Sequence, residues 1–162
     1  MKLSIIYFSR TGTTKEMAHH IAKGMKEAAD IDVAIFSIDA IDYDFLSESK
    51  AVVFGTPTYY ANTCWQIKKW FDESYKVKLG GKLGAVYATC DYIQGGPDTA
   101  ILTIINHLMV KGMLVYSSGS SLGKPFIHLG AVALKDHLEE SKEMFRIFGK
   151  RIAVKALELF DE

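Results

Sequence analysis

Short apolar runs alternate along this chain with longer stretches in which apolar residues recur every three or four positions. The apolar runs are residues 2–8, 33–36, 51–55, 83–88 and 113–116. Runs of this kind are typical of strands buried on both faces of a parallel sheet. Because strand and helix patterns alternate, the sequence predicts an α/β fold, a doubly wound parallel sheet with helices on both faces.

The last part of the chain departs from this regular alternation. Residues 117–135 are rich in Gly and Ser and are longer than an ordinary connection. Such a segment predicts a functional or interface loop. Residues 138–160 then place apolar side chains at spacings of three and four, which predicts the C-terminal helix.

Composition narrows the classes of function. The chain has 162 residues, and three prolines with no low-complexity tract give no sign of a linker, so we expect one domain, 1–162. Nineteen basic and nineteen acidic residues give zero net charge. With no basic stripe, we expect neither nucleic acid nor a membrane surface as a partner. No apolar run approaches the length of a membrane span.

The cysteines and histidines show no metal-binding pattern. Cys64 and Cys90 are isolated, and His19 and His20 lie in a helix without a nearby set of ligands. We therefore expect no metal site. The chain starts directly with a strand, without a charged-then-apolar leader, and two lone thiols suit a reducing compartment, so we expect a cytoplasmic protein.

The loop between the first strand and the first helix predicts an anion site. It reads Ser-Arg-Thr-Gly-Thr-Thr. Amide groups at a helix N-terminus attract anions, the hydroxyls add donors, and Gly12 lets the backbone approach a ligand closely. We predict that a phosphate is held here by Ser9, Arg10, Thr11, Gly12, Thr13 and Thr14. The alternative is an ordinary turn with a threonine cap.

Two later loops should meet the first one, because the carboxyl ends of parallel strands share one edge of the sheet. Their candidate site residues are Thr56, Pro57, Thr58, Tyr59, Tyr60 and Asn62, followed by Thr89, Cys90, Asp91, Tyr92, Gly95 and Gly96. Tyrosines can sandwich a planar heterocycle, and glycine-rich turns can offer amides to its polar edge. We predict a flavin ring between these loops. The alternative is that the tyrosines only cover the end of the sheet.

Taken in order, these segments resemble the flavodoxin-like FMN-binding proteins. The matching segments are 9–14, the Gly-Thr-Pro-Thr-Tyr-Tyr stretch 55–60, and the Gly-Gly loop after the fourth strand. More narrowly, segments 55–58, 105–110, 123–126 and 148–153 are similar to the tryptophan-repressor-binding protein family of FMN-dependent NAD(P)H:quinone oxidoreductases.

The resemblance implies a five-stranded sheet of order 2-1-3-4-5 with bound FMN. Carried over by position, it also implies that His107 lies beside the flavin, and that the chain forms a homo-oligomer, a dimer or a tetramer. The compact link 74–82 lacks a tryptophan that helps to line the quinone reductase pocket. The phosphate loop is closer to that of flavodoxin itself.

Two functions follow from this resemblance. The first is an enzyme that passes electrons from NADH or NADPH through FMN to a quinone or another small acceptor. No catalytic acid or base can be named for it. The second is a flavodoxin-type electron carrier whose partners are redox proteins. A receiver domain is excluded, since it needs acidic residues where this chain has Ser9, Arg10, Gly55 and Thr56.

Overall fold

The computed structural model describes residues 1–160. The strands are β1 (Lys2–Tyr7), β2 (Asp32–Ser37), β3 (Ala51–Tyr59), β4 (Asn62–Thr63), β5 (Leu83–Cys90), β6 (Leu114–Val115) and β7 (Ala131–Leu134). The helices are α1 (Thr13–Lys26), α2 (Tyr43–Glu48), α3 (Trp65–Glu73), α4 (Pro97–Val110) and α5 (Leu138–Phe160). Among these residues, no helix has both the length and the apolar character needed to cross a bilayer.

The sheet runs in the order β2-β1-β3-β5-β6, and all of these neighbours pair in parallel. Two further strands lie off this path: β4 pairs antiparallel with β3, and β7 pairs in parallel with β5. The predicted doubly wound α/β class is confirmed. The predicted count of five strands and the simple order 2-1-3-4-5 are wrong, because the sheet within residues 1–160 has seven strands.

The first extra strand arises because β3 continues beyond the apolar run that predicted it. It passes Gly55 and turns back at Tyr60 and Ala61 into β4, where Thr58 pairs with Thr63. The two turn residues, Tyr60 and Ala61, are neither Gly nor Asn, which are the usual signal of a two-residue hairpin. The sequence pattern therefore gave no indication of the hairpin.

The second extra strand lies within the segment expected to be an irregular loop. β6 pairs with the start of β5 at Leu83 and Gly84, and β7 pairs with its end, from Tyr87 to Cys90. Two short strands, β6 and β7, thus share the edge of the sheet beside β5. The segment between them, residues 116–130, lies outside the sheet. Four residues are too few to show a clear two-residue period, so β7 had no signal of its own. It brings the start of α5 to the same edge as the other loops.

The core lies on both faces of the sheet. Helices α1 and α5 pack on one face, where Met17, Phe145 and Phe148 are fully buried. Helices α2, α3 and α4 cover the other, where Phe54 and Phe71 pack with ring centroids 5.0 Å apart. Because helices cover both faces of the sheet, a ligand site is expected at the carboxyl ends of the parallel strands.

Candidate functional site

The loops after β1, β3 and β5 surround a cavity of about 960 Å³ at the carboxyl edge of the sheet. Its volume lies at the upper end of the range for ligand pockets. Fourteen of the predicted site residues line it: Ser9, Arg10, Thr11, Thr13, Thr14, Pro57, Thr58, Tyr59, Tyr60, Thr89, Cys90, Asp91, Tyr92 and Gly95. The other five, Gly12, Thr56, Asn62, Gly96 and His107, are not among the lining residues.

The first loop is shaped by Gly12. This residue adopts a left-handed conformation with φ of +100° immediately before α1. Its N–H donates to Ser9 Oγ at 3.1 Å, and its carbonyl accepts the N–H of Glu16 at 2.9 Å. A residue with a side chain rarely adopts this conformation. Gly12 thus turns the chain into α1, and Thr13 and Thr14 at the start of this helix line the cavity. The N-terminus of a helix is where an anion site is expected.

Thr14 is fixed more firmly than the rest of this loop. It is buried, and its Oγ1 lies 2.8 Å from Oγ1 of Thr89 on β5. Arg10 and Thr11 are exposed. The hydroxyls expected to bind phosphate therefore differ: that of Thr11 is accessible, whereas that of Thr14 already has a partner in the sheet.

The second loop is the hairpin turn between β3 and β4. Tyr60 and Ala61 both have positive φ, of 49° and 56°. The Tyr60 side chain is fully exposed at the rim of the cavity, and that of Tyr59 is about one-third exposed (37%). Thr58 Oγ1 is buried and has no hydrogen-bond partner within residues 1–160. An unpaired hydroxyl in a cavity wall is a donor and acceptor available to a ligand.

The third loop packs directly against the second. Gly96 has φ of +82° and precedes α4, and a Cβ built on it would lie 2.6 Å from Cβ of Ala61. A side chain at this position would push the two loops apart. Asn62 adds a link, since its Oδ1 accepts the hydroxyl of Thr103 on α4 at 2.8 Å. Gly96 and Asn62 thus shape the site without lining it.

Cys90 is a buried thiol at the base of the third loop. Burial, and then the negative charge of Asp91, raise the pKa of its thiol above the ordinary value of 9.0. A protonated thiol is a poor nucleophile at neutral pH. Cys90 therefore fills space in the wall of the cavity as a protonated thiol.

His107 does not face the cavity. Its Nδ1 lies 2.6 Å from the carbonyl oxygen of Thr103, and its ring packs on Phe71 with centroids 4.8 Å apart. Those contacts place the half-buried imidazole between α4 and Phe71 of α3. The expectation of a histidine beside the flavin came from the resemblance alone, and the geometry of this chain gives it no support.

Four residues of the lining were missed by the sequence analysis: Ala61, Thr63, Trp65 and Lys135. Ala61 and Thr63 belong to the hairpin, and Trp65 is the first residue of α3. These three residues lie at the cavity because β3 extends beyond Gly55. Lys135 follows β7, the strand that the pattern did not indicate. With Arg10 and Asp91, it makes the charged lining two cations and one anion.

The sequence is similar to those of known proteins. A family profile described as flavodoxin matches residues 5–126. The chain is 52% identical over 160 residues to a flavodoxin of Clostridium saccharobutylicum, covering 99% of this chain and 100% of that protein. It is 29% identical over 143 residues to an NAD(P)H dehydrogenase (quinone) of Geotalea daltonii, covering 71% of this chain and 70% of that protein.

A solved structure shares the fold. It is described as a flavodoxin, WrbA-like protein from Agrobacterium tumefaciens, and it matches with a TM-score of 0.82 over 98% of each chain. At 21% identity this likeness concerns the fold alone.

Proposed function

The chain belongs to the flavodoxin family, and we propose that it is an electron carrier that binds FMN and exchanges electrons with redox proteins. The observation that carries the proposal is the cavity at the N-terminus of α1. Its floor is a hydroxyl-rich loop suited to a phosphate, and its other walls present tyrosines and glycine turns suited to a flavin ring.

The residues present fit FMN in three respects. The cavity, at about 960 Å³, is large enough for a nucleotide-sized ligand. The space beside Gly12 in the phosphate loop is open, since a Cβ built there would meet nothing within 4 Å. Thr58 lines the cavity, and the protein leaves its buried Oγ1 without a hydrogen-bond partner among residues 1–160.

In this proposal the protein supplies binding and orientation. Residues 9–14 would hold the phosphate with backbone amides and the Thr11 and Thr13 hydroxyls, and Arg10 would balance its charge. Tyr59, Tyr60 and Tyr92 would cover the ring and exclude water. When bound, FMN supplies the redox chemistry, and the protein sets its potential through these contacts.

The carrier is preferred to the enzyme on the strength of the relatives. The flavodoxin of C. saccharobutylicum matches this chain from end to end at 52% identity. The quinone dehydrogenase matches only 71% of this chain at 29% identity.

The NAD(P)H-dependent quinone reductase remains the second candidate because of one observation. The chain has zero net charge, whereas strong negative charge would help to steer a carrier to basic partners. In this second function NADH or NADPH would be the electron donor, and a quinone or another small molecule the acceptor.

A reconstitution experiment tests both functions. The purified protein is loaded with FMN, made anaerobic, and mixed with NADPH or with NADH while the flavin absorbance is recorded. A carrier should keep its yellow absorbance for minutes with either nucleotide and lose it on photoreduction. Bleaching by a nicotinamide within seconds, followed by recovery on adding a quinone, would establish the enzyme instead. Failure to bind FMN would overturn both functions.

The position of the phosphate is tested by Thr11→Ala. Removal of one accessible donor to a charged group should weaken FMN binding by about 1.5–3 kcal/mol, measured by fluorescence titration. The affinity for riboflavin, which lacks the phosphate, should stay unchanged. An equal loss for both ligands would mean that Thr11 does not contact the phosphate.

A further inference from the structure

Tyr87 is a completely buried tyrosine that lies behind the cavity. It sits on β5 with 0% of its surface exposed, and its hydroxyl donates to the carbonyl oxygen of Thr14 at 2.8 Å. Its ring packs edge-on against Phe145 of α5, with centroids 5.6 Å apart and an interplanar angle of 84°. Full burial raises the pKa of the Tyr87 phenol well above 10.0, so the group stays protonated and able to donate.

The neighbouring strand makes room for this ring. Gly55 of β3 is the register partner of Tyr87, and a Cβ built on Gly55 would lie 2.1 Å from Cζ of the tyrosine. Even an alanine at position 55 would displace the ring that aims the hydroxyl at Thr14. The glycine that opens the Gly-Thr-Pro-Thr segment therefore has a packing role on this face.

A second bond from β5 reaches the same residue. Thr89 lies two positions beyond Tyr87, on the same face of the strand, and its hydroxyl is 2.8 Å from that of Thr14. Thr14 is the second residue of α1. The sheet thus holds the first turn of this helix by its main chain, through Tyr87, and by its side chain, through Thr89.

We propose that Tyr87 and Thr89 are positioning residues for phosphate binding, which act through Thr14 by fixing the amides of the first turn of α1. Anion binding at a helix N-terminus depends on the direction of those amides, and a buried anchor fixes it before the ligand arrives. This inference rests on the proposed function, since it concerns the phosphate of the same nucleotide.

The test compares FMN with riboflavin. In Tyr87→Phe, which removes one oxygen and keeps the ring, we expect FMN to bind about tenfold more weakly and riboflavin to bind within twofold of the wild type. The matched control is Tyr116→Phe, because Tyr116 is half-buried and lies near Lys155 of α5. It should leave both dissociation constants unchanged.

The second variant, Thr89→Val, keeps the shape of the side chain and removes the other anchor. It should produce the same selective loss of FMN affinity, and it serves as the test if Tyr87→Phe does not fold. An equal loss for FMN and riboflavin in the folded variants, or no loss at all, overturns the inference. A wild-type protein that binds neither ligand overturns the proposed function instead, so that the two failures are distinguishable.

Discussion

Tyr60 and Ala61 form a hairpin turn with both residues in the left-handed region of the backbone. This conformation costs roughly 1–2 kcal/mol for a residue with a side chain, and turns of this type usually contain Asn and Gly. The strain lies at the rim of the cavity, where Tyr60 is fully exposed. Strained residues of this kind cluster at ligand sites.

Ala61→Gly should relieve half of this strain. We expect the free energy of unfolding to rise by about 0.5 kcal/mol, because the relief of roughly 1–2 kcal/mol exceeds the extra entropy of glycine in the unfolded chain. Urea denaturation measures the change. The same substitution within helix α1, Ala22→Gly, should destabilise the protein. Loss of stability in Ala61→Gly would show that the contact between Ala61 and Gly96 outweighs the strain.

His20 should make the stability depend on pH. Burial, and then the nearby Lys142 ammonium, lower the pKa of His20 below its ordinary value of 6.5, against smaller opposing effects of Glu16 and Glu139. As the pH falls through 6.5, the unfolded chain therefore binds a proton before the folded protein does. The free energy of unfolding falls from pH 6.5 down to the lower pKa of His20 in the folded state.

The His20→Gln variant isolates this effect. The free energy of unfolding of the wild type minus that of the variant should be larger at pH 8 than at pH 5.5, measured by urea denaturation at both values. His19→Gln leaves His20 in place, so this variant should follow the wild type. A difference that is the same at both pH values would contradict the prediction.

The elements that carry long patterns were predictable, and the short ones were not. The apolar runs that predicted β1, β3 and β5 reflect burial on both faces, which forces a continuous apolar sequence. β4 and β7 have two and four residues, too few for any period. Their existence depends on pairing with β3 and β5, which is a property of the folded chain.

Arg151 holds the segment that interrupts the sheet edge between β6 and β7. Its guanidinium donates to the carbonyl oxygens of Leu122, Gly123, Lys124 and Pro125 at 3.0–3.3 Å, and to Ser118 Oγ at 3.1 Å. A planar group with five donors can satisfy such a set of acceptors, whereas a lysine ammonium cannot. One side chain of α5 therefore orders a loop of irregular backbone.

Arg151→Lys should loosen this loop selectively. Loss of about 2 kcal/mol of bonding to a charged donor should speed amide hydrogen exchange in residues 118–124 by about 30-fold, because each 1.4 kcal/mol is a factor of ten. Exchange in β5 should stay unchanged. The control is Arg146→Lys, since Arg146 of α5 pairs on the surface with Glu143 of the same helix and with Glu27, the residue after α1. Uniformly faster exchange across the chain would indicate global destabilisation instead.

At the scale of the molecule, the position of the candidate site could be predicted from topology. Parallel strands send their carboxyl ends to one edge, so three unusual loops after three strands had to converge. The sequence pattern did not predict that Lys135 and Trp65 line the cavity. Lys135 lies there because it follows β7, and Trp65 because it follows the hairpin of β3 and β4. His107 was carried over from a resemblance, and its position depends on how α4 packs against Phe71.

Since the cavity is built from loops that follow three different strands, FMN should stabilise the whole fold. At a free FMN concentration of 100 times the dissociation constant, mass action adds about 2.7 kcal/mol to the free energy of unfolding. For a chain of 162 residues, this should raise Tm by about 5–11 °C, measured by calorimetry.

The increase in Tm should depend on the phosphate of FMN. Riboflavin at the same concentration should raise Tm less, because it leaves the amides of residues 9–14 without an anion. A single transition that moves as one with FMN would mean that the loops bind the ligand together and transmit its stabilisation through β1, β3 and β5. Two transitions, of which only one moves, would mean that the ligand is held by one part of the chain alone, which contradicts a site formed by three loops.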